Sequence, residues 1–295
     1  MAIAAPGADA APGRGAPGAL PNLIIIGAQK CGTSSLHAYL DAHPQITMSD
    51  PKELDFFGGP KFENWSRGLD WYRGQFAADA PVRGESSPSY SAFPFAPDVP
   101  RRIQAVAPDA RLIYLVRAPI ERLLSQYVHL VARGTEQRLL TQIFTDRPPE
   151  LTAYVLQSCY WLQLEQYLTW FRSEQILVVD QDDLRSDRKQ TMARVLRFVG
   201  VDDTVHSPGW ERELHRSEEK RRPRSLLGAR GGRIGVRRLG RLPSRVAFGL
   251  RPILTGPMNR PTLDAALRER LAEVFRPDAA RLREHTGQGF EGWSV

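Results

Sequence analysis

The sequence predicts an α/β fold, a central parallel sheet flanked by helices on both faces, and three observations predict it. Leu23 to Ile26, Arg111 to Val116 and Gln175 to Asp180 are short, mainly apolar runs without the alternation of a half-exposed strand, as expected for strands buried on both faces. Each leads into a segment with apolar residues at helical spacing, so strand and helix alternate along the chain. The 295 residues, 42% of them hydrophobic, suffice for one large core, and no internal repeat divides them.

Taken in order, residues 1–21, "MAIAAPGADAAPGRGAPGALP", are rich in Ala, Gly and Pro, lack the basic and apolar regions of a secretory signal, and read as a disordered leader before a single domain over 22–295. Leu23 to Ile26 is the first strand, ended by Gly27. The helix from Thr33 carries Leu36, Tyr39 and Leu40 at helical spacing and closes before His43-Pro44. Long connections follow, "SDPKELDFFGG", "WSRGLDWYRGQF" and "VRGESSPSYS", with a strand at Val82 to Glu85. Connections of that length between sheet elements carry function. The strand Arg111 to Val116 passes through Arg117-Ala118-Pro119 into the helix "IERLLSQYVHLV", where proline suits a first helical turn. Leu151 to Phe171 reads as one long amphipathic segment, Gln175 to Asp180 as a strand, and Lys189 to Val199 as a helix. Leu263 to His285 is a final amphipathic helix.

Composition narrows the function. The net charge is +7, but Lys220 to Arg260 holds one Lys and eleven Arg with no acidic residue, so basicity belongs to that segment, which self-repulsion predicts to be mobile. The tract lacks the interleaved aromatics of a base-stacking surface, which ranks a nucleic-acid or polyanion-binding protein below an enzyme. Cys31 and Cys159 are the only cysteines, and no His-x-His or His-Glu-x-x-His spacing occurs, so neither a disulfide framework nor a metal site is expected. No window approaches the roughly 20 apolar residues of a membrane span. A cytoplasmic setting follows as the expectation.

The stretch "GAQKCGTSSL", Gly27 to Leu36, carries the chemistry. A glycine-bounded loop between strand and helix gathers backbone N–H groups and the positive end of the helix dipole at one point, which makes an anion site of P-loop type, and Lys30 adds a full charge. In the nucleotide-hydrolase loop GxxxxGK[ST] the lysine follows the last glycine and the next hydroxyl holds magnesium. Here Lys30 precedes Gly32, which counts against a kinase or nucleoside triphosphatase. By itself the stretch also fits an ordinary strand-to-helix turn.

The order Lys-x-Gly-Thr-[Ser/Thr] after an apolar strand resembles the 5'-phosphosulfate loop of sulfotransferases that use 3'-phosphoadenosine 5'-phosphosulfate (PAPS). "KELDFFGG" resembles the Lys-Glu-x-x-Phe-Phe segment of the heparan-sulfate type, and "ESSPSY" its Glu-Lys-[Ser/Thr]-Pro-x-Tyr. "LVRAPIERLLSQY" is similar to the 3'-phosphate segment, an arginine ending a strand and a serine eight residues later; "CYWLQLEQYLTWFRSEQILVVDQDDL" and "LAEVFRPDAARLREHTG" match the remaining pattern. The resemblance implies PAPS as co-substrate, 3',5'-ADP (PAP) as product, no metal, and a carbohydrate or small-molecule acceptor with a hydroxyl or amine. It implies Lys30 and Glu53 as catalytic groups, Lys30 at the leaving phosphate and Glu53 as the base, partly desolvated by Phe56 and Phe57. Gly32, Thr33, Ser34 and Ser35 would surround the 5'-phosphate, Arg117 and Ser125 the 3'-phosphate, and Tyr160 the adenine or a phosphate. Lys220, Arg221 and Arg222 fall where the family has Lys-Gly-Arg in a loop closing over the cofactor, with Arg221 replacing the glycine. Asp55 stands where heparan enzymes carry histidine, Ser86 where they carry lysine and Ala118 where aspartate is common; the cation lost at Ser86 and the anion gained at Asp55 argue against a heparan-like polyanion as acceptor.

Overall fold

The computed structural model describes residues 18–58, 64–146, 148–210 and 261–295, with the backbone alone at 211, 221–223 and 255–257. The expected leader over 1–21 and basic segment over 220–260 lie largely outside the described residues. Five strands, β1 (Leu23–Gly27), β2 (Ile46–Met48), β3 (Val82–Ser86), β4 (Arg111–Val116) and β5 (Ile176–Asp180), form one sheet in the order β2-β3-β1-β4-β5. Every pairing is parallel, as expected. All of β1, and β4 from Leu112 onward, is buried at successive positions, so both faces of the central strands are covered.

The cover is helical: α1 (Thr33–Asp41), α2 (Gly68–Arg73), α3 (Val99–Val106), α4 (Pro119–Ala132), α5 (Leu140–Asp146), α6 (Ala153–Leu156), α7 (Tyr160–Leu168), α8 (Gln181–Ser186), α9 (Arg188–Val199) and α10 (Ala265–Thr286). A two-stranded antiparallel ribbon pairs β6 (Arg221–Pro223) with β7 (Thr255–Pro257). The main core surrounds the sheet, and a second cluster, with Leu123, Leu124, Phe144, Val155 and Phe275, joins α4, α5, α6 and α10. Among the described residues no helix is long and apolar enough to cross a membrane.

The structure departs from the sequence reading at two places. The segment Leu151 to Phe171 is two helices with a break at Ser158 and Cys159. Thr152 caps the first through its side chain, which accepts from the Val155 amide. The second is started afresh by Asp278 of α10, whose carboxylate oxygens accept from the amides of Trp161 (3.0 Å) and Leu162 (2.9 Å). The other departure is β2, an edge strand of three residues, too short to show a period of two in the sequence.

This topology positions the site. From β1 the chain leaves through α1 toward β2, whereas from β4 it leaves through α4 toward β5, so the loops after two adjacent strands diverge. Divergence opens a crevice at the carboxyl ends of the strands, the usual ligand site of open α/β sheets.

Candidate active site

The loop after β1 enters the crevice through a register shift: Ile25 pairs with Ile113 but Gly27 with Tyr114, and the Ala28 amide donates to the Leu115 carbonyl at 2.7 Å. This bulge turns the chain toward the end of β4. Gly27 has φ +155°, and a Cβ there would lie 1.9 Å from Ser91 Oγ, so the turn admits only glycine. Gly32, at φ +89° and ψ 13°, is the N-cap of α1 without a side-chain cap. The amides of Ser35 and Leu36 both donate to the Gly32 carbonyl. Those of Gly32, Thr33 and Ser34 come too early for an intrahelical acceptor and point out of the helix start, beside Lys30 at φ 76°.

Arg117 ends the neighbouring strand, and Ser125 is buried on α4 behind it. The two loops are joined from beneath. Tyr160, at the start of α7, puts its hydroxyl 3.5 Å from Cys31 Sγ and accepts from the Arg117 amide at 3.3 Å. Its ring is wholly buried, edge-on to Tyr114 and tilted against Trp293. The residue expected beside adenine or a phosphate therefore lies beneath both loops, with no exposed surface, and braces them. Cys31 is equally buried, and burial pushes its thiol up to about 11, which removes it as a nucleophile.

Arg122 lies below the same loops, fully buried, and its bonded partners are neutral: Ser158 Oγ at 2.6 Å, the Tyr154 carbonyl at 2.8 Å, Gln126 Oε1 and the Gln29 carbonyl at 3.5 Å. A buried guanidinium without a carboxylate is costly unless an anion shares its field, and the loop beside it is built for anions.

The carboxylates stand on the other side of β1. Glu53 is exposed, with its side chain 55% accessible, and pairs with Lys52 Nζ at 2.9 Å. The expected desolvation by Phe56 and Phe57 does not occur. Asp55 turns the chain at φ 47°, and both phenylalanines become fully buried, Phe56 stacked on Tyr72 at 4.2 Å and Phe57 edge-on to it at 5.2 Å. Asp55 is half-buried, and burial raises its carboxyl above the usual range, opposed by a hydrogen bond from Ser89 Oγ.

Sequence reasoning missed Glu85. This β3 residue is fully buried, and burial pushes its carboxyl up to about 7 against hydrogen bonds from the hydroxyls of Tyr72, Ser87 and Tyr90. A signal existed: a glutamate in a strand covered on both faces must be buried with partners.

Of the remaining expectations, Thr33 and Ser35 are buried in the first turn of α1, and Ser34 is half-exposed. Ser86 is fully buried, its hydroxyl without a partner among the described residues. Lys220 lies outside the described residues. Arg221 and Arg222 are described by backbone only, in β6, which runs beside α4. Among the described residues no group of His, Cys, Asp and Glu is arranged to hold a metal.

Comparison with known proteins agrees with this geometry. The family model described as "Sulfotransferase domain" matches residues 20–217. The chain is 30% identical over 298 residues to the bifunctional heparan sulfate N-deacetylase/N-sulfotransferase 2 of Bos taurus, a match covering 93% of this chain and 30% of the relative, so it spans about a third of that protein's length. It is also 30% identical to the human heparan sulfate glucosamine 3-O-sulfotransferase 6, with 98% of this chain and 78% of the relative covered. The crystal structure of a sulfotransferase from Alicyclobacillus acidocaldarius shares the fold, with TM-score 0.66 at 24% identity over 94% of this chain and 100% of that one.

Proposed function

The chain belongs to the sulfotransferase domain family, and from that premise we propose that it transfers a sulfuryl group from PAPS to a hydroxyl or amine of a carbohydrate or small-molecule acceptor, releasing PAP. The observation that carries the reading is the crevice. The Lys30 loop and Arg117 follow adjacent strands whose connections diverge there, and Tyr160 holds the two together, which suits a ligand with a 5' and a 3' anion.

In this mechanism the acceptor atom attacks sulfur in line with the bridging oxygen. The S–O bond to the phosphate breaks as the acceptor–S bond forms, the electron pair leaves on the phosphate of PAP, and the acceptor's proton goes to a carboxylate. Lys30 stabilises the leaving oxygen, and the amides of Gly32, Thr33 and Ser34, with the Thr33, Ser34 and Ser35 hydroxyls, hold the 5'-phosphate; one such electrostatic contact is worth about 10²- to 10³-fold in rate. Arg117 and Ser125 take the 3'-phosphate. Lys220, Arg221 and Arg222 close over the nucleotide, in keeping with the position of β6 beside α4.

Glu53 is the base in the first reading, since its exposure leaves it open to an acceptor. Asp55 is the second reading, favoured by its raised carboxyl on the same loop. The sugar-sulfating relatives support a carbohydrate acceptor. An uncharged, buried Ser86 and an acidic Asp55, where heparan enzymes carry lysine and histidine, weigh against a polyanionic one.

The test incubates the protein with PAPS and an acceptor library and follows the SO3 mass increment together with PAP release. Glu53→Gln should leave PAP affinity at the wild-type value and lower turnover by about 10²- to 10⁴-fold. If Asp55→Asn causes that loss and Glu53→Gln does not, the base is Asp55. Mg-dependent ATP turnover without sulfuryl transfer would overturn the whole reading in favour of a P-loop kinase or nucleoside triphosphatase.

A further inference from the structure

Resting on that reading, we propose that Glu85 is a positioning residue: from beneath, through the hydroxyls of Ser87 and Tyr90, it fixes the backbone of the loop that presents Glu53 and Asp55 to the acceptor. Glu85 sits on β3, paired with Ile24 of the central strand, and is fully buried. One carboxylate oxygen accepts from the Tyr72 hydroxyl and from Tyr90 at 3.1 Å, the other from Ser87 at 2.9 Å and Tyr90 at 3.2 Å. The same two hydroxyls reach the loop: Ser87 Oγ accepts from the Asp55 amide at 3.0 Å, and Tyr90 accepts from the Phe57 amide at 3.2 Å.

A hydroxyl has one hydrogen to give. Where Glu85 is ionised, above about pH 7, the carboxylate takes that hydrogen from Ser87 and from Tyr90, and each is left with lone pairs facing the loop, the orientation that satisfies the amides of Asp55 and Phe57. An amide side chain in place of Glu85 has two hydrogens where one oxygen faced both Ser87 and Tyr90, so it would donate to both hydroxyls and turn their hydrogens toward the two loop N–H groups. The loop's carbonyls are held independently, Leu54 by Asn64 at 2.8 Å and Gly58 by Arg102 at 2.8 Å. What depends on Glu85 is therefore the middle of the loop, between the two candidate bases and the phenylalanine pair.

Stability alone gives little reason for the arrangement. Among the described residues no cation is bonded to Glu85, and an unpaired buried carboxylate is unfavourable. Its titratable neighbours are Tyr72, Tyr90, Tyr167 and Asp55, none of which supplies positive charge. Tyr72 provides the control, because its hydroxyl touches Glu85 but is bonded to no loop amide, while its ring packs on Phe56.

The experiment uses the full chain saturated with PAP and reads hydrogen exchange at the amides of Asp55 and Phe57 by mass spectrometry with residue resolution. Transfer from PAPS to an uncharged N-acetylglucosamine oligosaccharide is measured in parallel. Glu85→Gln should speed exchange at both amides about tenfold and lower kcat about tenfold, the size expected for a buried N–H losing its acceptor. The oligosaccharide KM and PAP affinity should stay as in wild type. Ser87→Ala should speed Asp55 alone, Tyr90→Phe should speed Phe57 alone, and Tyr72→Phe should change neither. Wild-type exchange at both amides in Glu85→Gln overturns the proposal, as does Tyr72→Phe reproducing the Glu85→Gln effects. If Glu85→Gln does not fold, the one-amide pattern of Ser87→Ala and Tyr90→Phe decides. Failure of the wild-type enzyme to transfer sulfate, with the exchange pattern intact, would count against the functional reading and not against the role of Glu85 in the loop.

Discussion

Replacing Tyr160 by phenylalanine tests the link between the loops after β1 and β4, the proposed anion sites, with the removal of one oxygen. The ring stays, so its contacts with Tyr114 and Trp293 survive and no cavity opens. What is lost is the acceptor for the Arg117 amide and the partner of Cys31 Sγ. A buried N–H left unpaired costs about 1–3 kcal/mol, and the 3.3 Å separation places this bond at the weak end, about 1 kcal/mol. The thiol contact adds less, since sulfur is a poor donor and a poor acceptor.

Where that free energy appears is the informative part. If Tyr160 only fills the core, the melting temperature falls and ligand binding does not change. If it sets the position of Arg117, the nucleotide carrying a 3'-phosphate should lose about fivefold in affinity, since about 1.4 kcal/mol is tenfold, while 5'-AMP, which lacks that phosphate, should bind as before. Calorimetry with PAP and 5'-AMP on wild type and Tyr160→Phe measures the ratio directly. An unchanged ratio of the two affinities would refute the bracing argument, whatever happens to the melting temperature.

Two further outcomes follow from the geometry. Gly27→Ala should prevent folding or greatly lower the melting temperature, since its Cβ would sit 1.9 Å from Ser91 Oγ and 2.9 Å from Ser91 Cβ; adding Ser91→Gly should restore part of the loss, and no gain from the double variant would show the strain to lie elsewhere. Glu85 is raised to about 7, and Asp180 and Asp278 to about 6, all by burial, so the folded state holds these protons more tightly than the unfolded chain. Their contribution to stability is fully present below about pH 4 and is lost as pH rises through 6 to 7, with Glu85 alone worth at most about 3 kcal/mol of that slope. Thermal melts from pH 5 to 8 should show Glu85→Gln gaining on wild type as pH rises; a constant difference would mean that Glu85 does not titrate in that window.

The sheet was legible because an apolar run of five or six residues ending in glycine or proline punctuation has few places to go except between two layers of helices. The turn after β1 was legible for a related reason: the positive φ at Gly27 and Gly32 admits few residue types, so the glycines themselves report it. The break between α6 and α7 was not legible. Its cause, Asp278, is 117 residues from the Trp161 amide that it binds, and local periodicity carries no trace of such a partner. The bracing contacts of Tyr160 with both loops were not legible either, because motif spacing does not say which side of a loop a ring lies on.

The two glutamates show where sequence reasoning about a site fails, and why. Adjacency of Glu53 to Phe56-Phe57 suggested a carboxylate desolvated by its neighbours, but one residue with positive φ, Asp55, sends the phenylalanines into the core and leaves Glu53 in water beside Lys52. Desolvation fell instead on Glu85, distant in sequence from the Lys-Glu-x-x-Phe-Phe segment and joined to its backbone through the hydroxyls of Ser87 and Tyr90. A base that must meet an incoming acceptor needs access, and access is incompatible with the burial that most raises a carboxyl pKa. In the proposed mechanism the tasks are divided: an accessible carboxylate on the loop meets the acceptor and a buried one beneath it holds the loop, so the precision of the first depends on the hydrogen bonds of the second.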